Sequence, residues 1–209
     1  MPISIAAFDF DETLTHRDTV VPFLRRVAGD RALALGLLAR THRLAPAAVR
    51  RDRNALRAVA TEQVFRDRPI AEVEEHARAH GDGIVATGLR SDTTGRLAWH
   101  RDQGHRVVIV SASYEQYVEI VGEHLGVDAV LATRLDVVGG RCTGRLLGPN
   151  CRGPEKLDRL TRWLADQSLA LDDVTLWAYG DSSDDRELLA AADHPHWVRE
   201  PLASVSPAV

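Results

Sequence analysis

The chain opens on an apolar run, Ile3-Ser4-Ile5-Ala6-Ala7-Phe8, that reads as a buried β-strand and breaks at Asp9-Phe10-Asp11-Glu12-Thr13. A long helical region follows, from about residue 18 to 86. Val20, Val21, Phe23, Leu24 and Val27 recur at helical spacing, and Leu33, Leu35, Leu37 and Leu38 do the same. Pro46 suits the first turn of a further helix carrying Val49, Leu56, Val59 and Val64. Pro69 opens another over Ile70 to Ala79, with Gly81, Gly83 and Gly88 breaking the pattern beyond it. From Ser91 the period changes. A helix near Thr93 to Gln103 precedes the strand Arg106 to Val110, which ends at Ser111. A helix from Tyr114 to Leu125 leads to a strand over Asp128 to Ala132. Gly139-Gly140 between short β segments predicts a hairpin within Val137 to Leu147. Pro154 starts a helix to Leu164, Val174 to Tyr179 is a strand ending at Gly180, a short helix covers Arg186 to Ala192, and His196 to Val198 reads as an edge strand.

Strand, helical insertion, then repeated βα units predict an α/β protein with a Rossmann-like, mostly parallel sheet. The expected division is a core of residues 1–16 and 88–200, an insertion of residues 17–87, and an unpatterned tail of 201–209. In such sheets ligands lie beyond the carboxyl ends of the strands. The strands ending at Asp9, Ser111 and Gly180-Asp181 therefore point to the site.

Composition narrows the function. The 209 residues are 44% hydrophobic, which suits one core domain plus an insertion. A net charge of -4 argues against general nucleic-acid binding. No apolar run approaches the roughly 18 residues of a membrane span, and the N-terminus does not read as a signal peptide. Cys142 and Cys151 form neither a metal pattern nor a disulfide framework, and a reducing cytoplasm is the expected location. Of 26 basic residues, Lys156 is the single lysine, which suggests a position closed to arginine.

The acids carry the chemistry. Asp9 and Asp11 at one strand end would repel and raise each other's pKa unless a cation neutralised them. An oxygen-only ligand set favours Mg²⁺. Solvated acids at a strand end are the ordinary alternative. Gly180-Asp181-Ser182-Ser183-Asp184-Asp185 supplies further carboxylates; Asp181 suits ligation, and Asp185 suits ligation or orientation of a metal-bound water. These residues also suit a helix N-cap. Ser111 with Ala112 offers a hydroxyl and backbone N–H groups to a phosphate, or simply another N-cap.

Asp9-Phe10-Asp11-Glu12-Thr13, then Ser111, Lys156 and Gly180-Asp181 with Asp185, in this order, resemble the four motifs of the haloacid dehalogenase superfamily. The closest likeness is to its phosphoserine-phosphatase-like branch. The insertion resembles that family's helical C1 cap. The resemblance implies that Asp9 attacks phosphorus and Asp11 serves as acid and base. It also implies that Asp9, the Asp11 carbonyl and Asp181 bind Mg²⁺, with Asp185 close by. Ser111, Ala112, Thr13 and Lys156 are the implied phosphate-side groups. In the phosphoserine phosphatase register Arg152 falls at the lysine position; Lys156 is favoured as the only lysine, with Arg152 sharing the phosphate or contacting the rest of the substrate.

Asp18, nine residues after Asp9, matches an acid that meets the serine amine in that branch, and is equally an ordinary helix-start charge. The branch's cap arginine has no counterpart within Val59 to Thr61; Arg57 is the nearest earlier arginine. Arg40, Arg43, Arg50, Arg51, Arg53 and Arg57 form a basic stretch that reads as a solvated face or as a surface for anions. The implied activity is hydrolysis of a small phosphate ester, from a metabolite or a lipid headgroup. Phosphoserine hydrolysis proper, and phosphotransfer or mutase chemistry through the same aspartyl phosphate, are the alternatives.

Overall fold

A computed structural model describes residues 3–50, 52–199 and 201–202, and of residues 37, 43, 44 and 47 the backbone alone. Expectations for Arg51, for the side chains of Leu37 and Arg43, and for the tail from residue 203 fall outside the described residues.

Strands β1 (Ile3–Phe8), β2 (Arg106–Tyr114), β3 (Ala129–Thr133), β6 (Val174–Gly180) and β7 (His194–Trp197) form one sheet in the order β3-β2-β1-β6-β7. Every pairing is parallel. β4 (Leu135–Val138) and β5 (Arg141–Leu146) make the separate antiparallel hairpin expected around Gly139-Gly140. The alternation of a strand splits the core in two. Ile5 and Ala7 of β1 face a cluster with Leu160 and Leu164 of α8 (Pro154–Asp166) and Leu188 and Leu189 of α9 (Arg186–Ala190). Ala6 and Phe8 face the other side, with Leu97 of α6 (Ser91–Asp102) and Tyr117, Val118 and Val121 of α7 (Glu115–Leu125). Gly126, in the left-handed region at φ 65°, closes α7 as a C-cap. β7 begins two residues before the expected edge strand and ends at Trp197, leaving Val198 to pair its N–H with Gly180 O.

Between β1 and β2 lie α1 (Val20–Ala28), α2 (Asp30–Ala39), α3 (Thr41–Val49), α4 (Arg53–Phe65) and α5 (Ile70–Thr87). The two ends of this insertion run side by side: Thr15 bridges Leu89, His16 N donates to Gly88 O, and Arg90 N donates to Leu14 O. Its apolar residues, Phe23, Phe65, Val73 and Ala77 among them, continue the α6–α7 side of the core.

Two expectations for this region change. Pro46 lies inside α3, and the helix carrying Leu56, Val59 and Val64 starts separately, because Asp52 accepts a hydrogen bond from Ala55 N at 2.9 Å and caps it. α5 runs through Gly81 and Gly83 to Thr87. A Cβ at Gly81 would stand 2.7 Å from Ile120 Cβ, so this glycine permits close packing on α7 and does not end the helix. Of the leucine stripe, Leu33 is buried while Leu35 and Leu38 are exposed.

Candidate active site

The backbone delivers Asp9 to the carboxyl end of the sheet. Asp9 N donates to Tyr179 O at 2.8 Å, extending the β1–β6 ladder one residue past Phe8. The chain then turns sharply, with Glu12 in the left-handed region at φ 59° and Leu14 N and Thr15 N both donating to Phe10 O. On the neighbouring strand, β6 ends at Gly180. A Cβ there would meet Asp185 Cβ and Cγ at 2.5 Å, so only glycine lets Asp185 come this close. The turn Ser183–Asp185 is fixed by a capping box: Ser182 Oγ accepts from Asp184 N, and Asp185 Oδ2 accepts from Ser182 N at 3.0 Å.

Lys156 arrives from the far side of the sheet. Gly153, at φ 59° and ψ -132°, turns the chain, Pro154 sets the first helical residue of α8, and Lys156 stands in its first turn. Its Nζ donates to Asp9 Oδ1 at 2.6 Å and to Asp185 Oδ1. The side chain is 2% exposed. Burial works against the ammonium, but Asp9 and Asp185 outweigh it and raise its pKa. The acids bear the imbalance of one cation among several carboxylates. Asp9 is raised well above the ordinary carboxylate range, first by burial and then by Asp185, against the pull of Lys156. Asp181 is also raised, first by burial.

Single carboxylate oxygens of Asp9, Asp181 and Asp185 lie within 4.8 Å of one another. This donor set fits a hard divalent cation. Asp185 already accepts from Lys156 through one oxygen and from Ser182 through the other, which suits an orienting role. The Asp11 carboxylate is turned elsewhere. Its Oδ1 accepts from Thr19 N at 2.9 Å and Thr19 Oγ1 at 2.5 Å, and its Oδ2 accepts from Ser113 Oγ at 2.5 Å. Its main-chain carbonyl is therefore the group it could offer a cation. Burial lifts the Asp11 carboxyl to about 6, opposed by the Ser113 and Thr19 hydrogen bonds.

Asp9, Asp11, Ser111, Ala112, Lys156 and Asp181 line one cavity of about 560 Å³. Thr13 is buried and is joined to the cavity through Asp181, whose Oδ1 accepts from its hydroxyl at 3.3 Å. Ser111 Oγ accepts from Ser113 N at 3.0 Å, which leaves the Ser111 hydroxyl proton to give. Arg152 is on the cavity wall but at a different carboxylate from Lys156: its Nη2 donates to Asp184 Oδ1 at 2.6 Å. Asp18 faces the cavity and also accepts from Val21 N at 3.1 Å, so it is both a wall residue and a helix-start acceptor.

Several cavity residues escape a motif reading. The insertion closes over the sheet with Val20 and Leu24 of α1 and Leu56 and Arg57 of α4. Arg53 lies 3.7 Å from Asp184, and Asn150 Nδ2 donates to Asn54 Oδ1 at 2.9 Å, joining α4 to the core. The Arg57 guanidinium stacks 5.0 Å above the Tyr114 ring, and its buried Nη1 has no hydrogen-bond partner among the described residues. Only the basic stretch and the one-turn offset of Arg57 from the expected position could have flagged it. Ser113, Thr19 and Tyr117 around Asp11 had no motif to announce them.

The parallel sheet, the acidic ends of β1 and β6 and the lysine from α8 define a hydrolase class. The sequence model of the haloacid dehalogenase-like hydrolases matches residues 6–190, and the chain belongs to that family. Its likeness is to the phosphoserine-phosphatase-like members. Protein CicA of Caulobacter vibrioides is 38% identical over 191 residues, covering 90% of this chain and 83% of that protein. A Bordetella pertussis Tohama I protein of unknown function superposes with a TM-score of 0.78 at 24% identity, over 93% of this chain and 89% of that one. A substrate-bound phosphoserine phosphatase shares the fold at a TM-score of 0.62 and 22% identity, over 92% and 84% of the two chains.

Proposed function

We propose that the chain is a Mg²⁺-dependent phosphatase of small phosphate monoesters that works through a phosphorylated Asp9. The observation that carries this reading is the buried Lys156–Asp9 contact at 2.6 Å beside the carboxylates of Asp181, which lines the cavity, and Asp185, which is buried. A lone nucleophilic carboxylate would repel a phosphoryl dianion. Here the ammonium holds one Asp9 oxygen and stands ready for a phosphoryl oxygen, and the Ser111 hydroxyl and the N–H of Ala112 add neutral donors.

Asp9 attacks phosphorus, forming a carboxylate–phosphorus bond as the bond to the leaving oxygen breaks. Asp11 gives its proton to that oxygen. Asp11, now a carboxylate, takes a proton from water as the water oxygen attacks the same phosphorus, and Asp9 is released. A carboxyl lifted to about 6 suits both halves near neutral pH. Asp9, Asp181 and the Asp11 carbonyl would hold Mg²⁺, oriented by Asp185, and the ion would offset phosphoryl charge.

Helices α1–α5 serve as the cap over this site. The leaving group meets Asp18 on one wall and Arg57 on another, across the apolar Val20, Leu24 and Leu56. This pairing of an acid with an arginine whose Nη1 has no hydrogen-bond partner among the described residues favours a leaving group that carries an anion. It gives phosphoserine a second claim, with Arg57 in place of the arginine missing from Val59 to Thr61. No helix among the described residues is long and apolar enough to cross a membrane. The assay is hydrolysis of p-nitrophenyl phosphate with and without Mg²⁺, followed by a panel that includes phosphoserine. Asp9→Asn should abolish turnover and remove the phosphoryl adduct that acid quenching traps on the Asp9 peptide; an active Asp9→Asn enzyme would refute the nucleophile.

A further inference from the structure

Ser113 stands where β2 loses its register with β3, between Ser111 and Tyr114. Such an irregularity re-aims side chains at a strand end. The residue is fully buried, and its hydroxyl donates to Asp11 Oδ2 at 2.5 Å. A buried hydroxyl needs a partner, and this one is given to a carboxylate, where hydrogen bonds are strongest.

The other Asp11 oxygen is held from the insertion side, by Thr19 N and Thr19 Oγ1. Since the Thr19 proton goes to Asp11, the Tyr117 hydroxyl 2.9 Å away must be the donor to Thr19 Oγ1. Asp11 is therefore gripped at both ends. Thr19 holds it from the entrance to α1, and Ser113 holds it from the sheet. The two Thr19 donors fill Oδ1, while Oδ2 accepts from Ser113 alone and keeps a second lone pair on which the carboxyl can carry its proton.

We infer that Ser113 is a positioning residue for proton transfer by Asp11, fixing the plane of the carboxyl group from the rigid side of the site. The inference rests on the assignment of Asp11 as the acid in the proposed phosphatase. Ser113 keeps its own proton throughout. It acts only on the direction in which Asp11 delivers one to the departing oxygen.

The test is leaving-group dependence. Phenolate is a poorer leaving group than p-nitrophenolate and needs the proton more. For Ser113→Ala, kcat/KM should fall about 10- to 100-fold with phenyl phosphate, the range expected on losing a hydrogen bond to a charged group. The loss with p-nitrophenyl phosphate should be at least several-fold smaller. Because kcat/KM stops at the first irreversible step, slow hydrolysis of the phosphorylated enzyme does not mask the difference. Ser113→Gly, which removes the hydroxyl with less demand on packing, is measured alongside and should behave alike if Ser113→Ala folds poorly. Equal losses on the two esters in the folded variant, or no loss on either, would overturn the inference. Asp11→Asn is the control. Selective loss there without selective loss at Ser113 removes Ser113 alone, whereas no selective loss at Asp11→Asn removes the acid assignment itself.

Discussion

Replacing Lys156 with methionine removes a charge while keeping the length of an unbranched side chain. In the native protein the ammonium is 2% exposed and shared between Asp9, at 2.6 Å, and Asp185. Without it, two buried carboxylates face each other with a third, Asp181, in the same cluster. Breaking a buried ion pair from one side costs about 3–5 kcal/mol. A chain of this size loses about 2–4 °C of melting temperature per kcal/mol, so Lys156→Met should melt roughly 6–20 °C lower at pH 7.5 without divalent cations.

The sign with pH is specific. Asp9 is already raised by burial and by Asp185, and loses its one opposing cation in the variant. A carboxyl with a raised folded pKa holds more protons folded than unfolded, so stability falls as pH rises through that window. The gap between variant and wild type should therefore be smaller at pH 5 than at pH 7.5. Mg²⁺ should narrow it at pH 7.5 by binding the same acids. Scanning calorimetry at both pH values, with and without Mg²⁺, measures all of this. A gap under about 2 °C, or one that widens on acidification, would refute the electrostatic account of Lys156. Lys156→Arg should not restore turnover, because a planar guanidinium cannot occupy the space of a compact ammonium between two carboxylates.

Two further outcomes follow from buried groups elsewhere. His100 is fully buried, shares a 2.8 Å contact with His105 and lies 2.9 Å from the Tyr179 hydroxyl; burial first, then His105, Arg96 and His196, depress its pKa to about 3. The unfolded imidazole takes up a proton near its ordinary pKa of about 6.5, so stability should drop as pH falls from there towards 3. In His100→Asn, thermal midpoints between pH 7 and 4.5 should decline less steeply than in wild type, and parallel slopes would reject the assignment. Arg57→Met should raise KM for phosphoserine about 10- to 100-fold, and more than for p-nitrophenyl phosphate, if Arg57 on the cavity wall meets an anion on the leaving group; equal effects on both esters would place Arg57 in cap packing alone.

The motif residues were legible because each sits at a fixed offset from a local feature that the sequence displays. Asp9 and Asp11 follow an apolar run, Ser111 follows the valine-rich run Val107–Val110, although β2 continues past it to Tyr114, and Asp181 follows Gly180 at the end of another strand. Parallel βα topology then requires those strand ends to meet at one edge of the sheet. Lys156 was marked by composition, as the one lysine among arginines, yet its register against Arg152 was open in the sequence. In the fold, the turn at Gly153-Pro154 aims the first turn of α8 so that Lys156 reaches Asp9, while Arg152 meets Asp184.

Other features depended on contacts between residues far apart in the chain. Gly81 reads as a helix breaker until Ile120 is seen against it. Thr19, Ser113 and Tyr117 come from three elements and converge on Asp11 only when the insertion docks on α7 and β2. Arg57 enters the cavity because Tyr114 supplies a ring for its guanidinium. Periodicity and spacing determined which groups carry charge and which strand ends present them. Tertiary packing decided how those groups are oriented and which side chains line the cavity around them, since hydrogen-bond direction and burial are set by neighbours that no local pattern encodes.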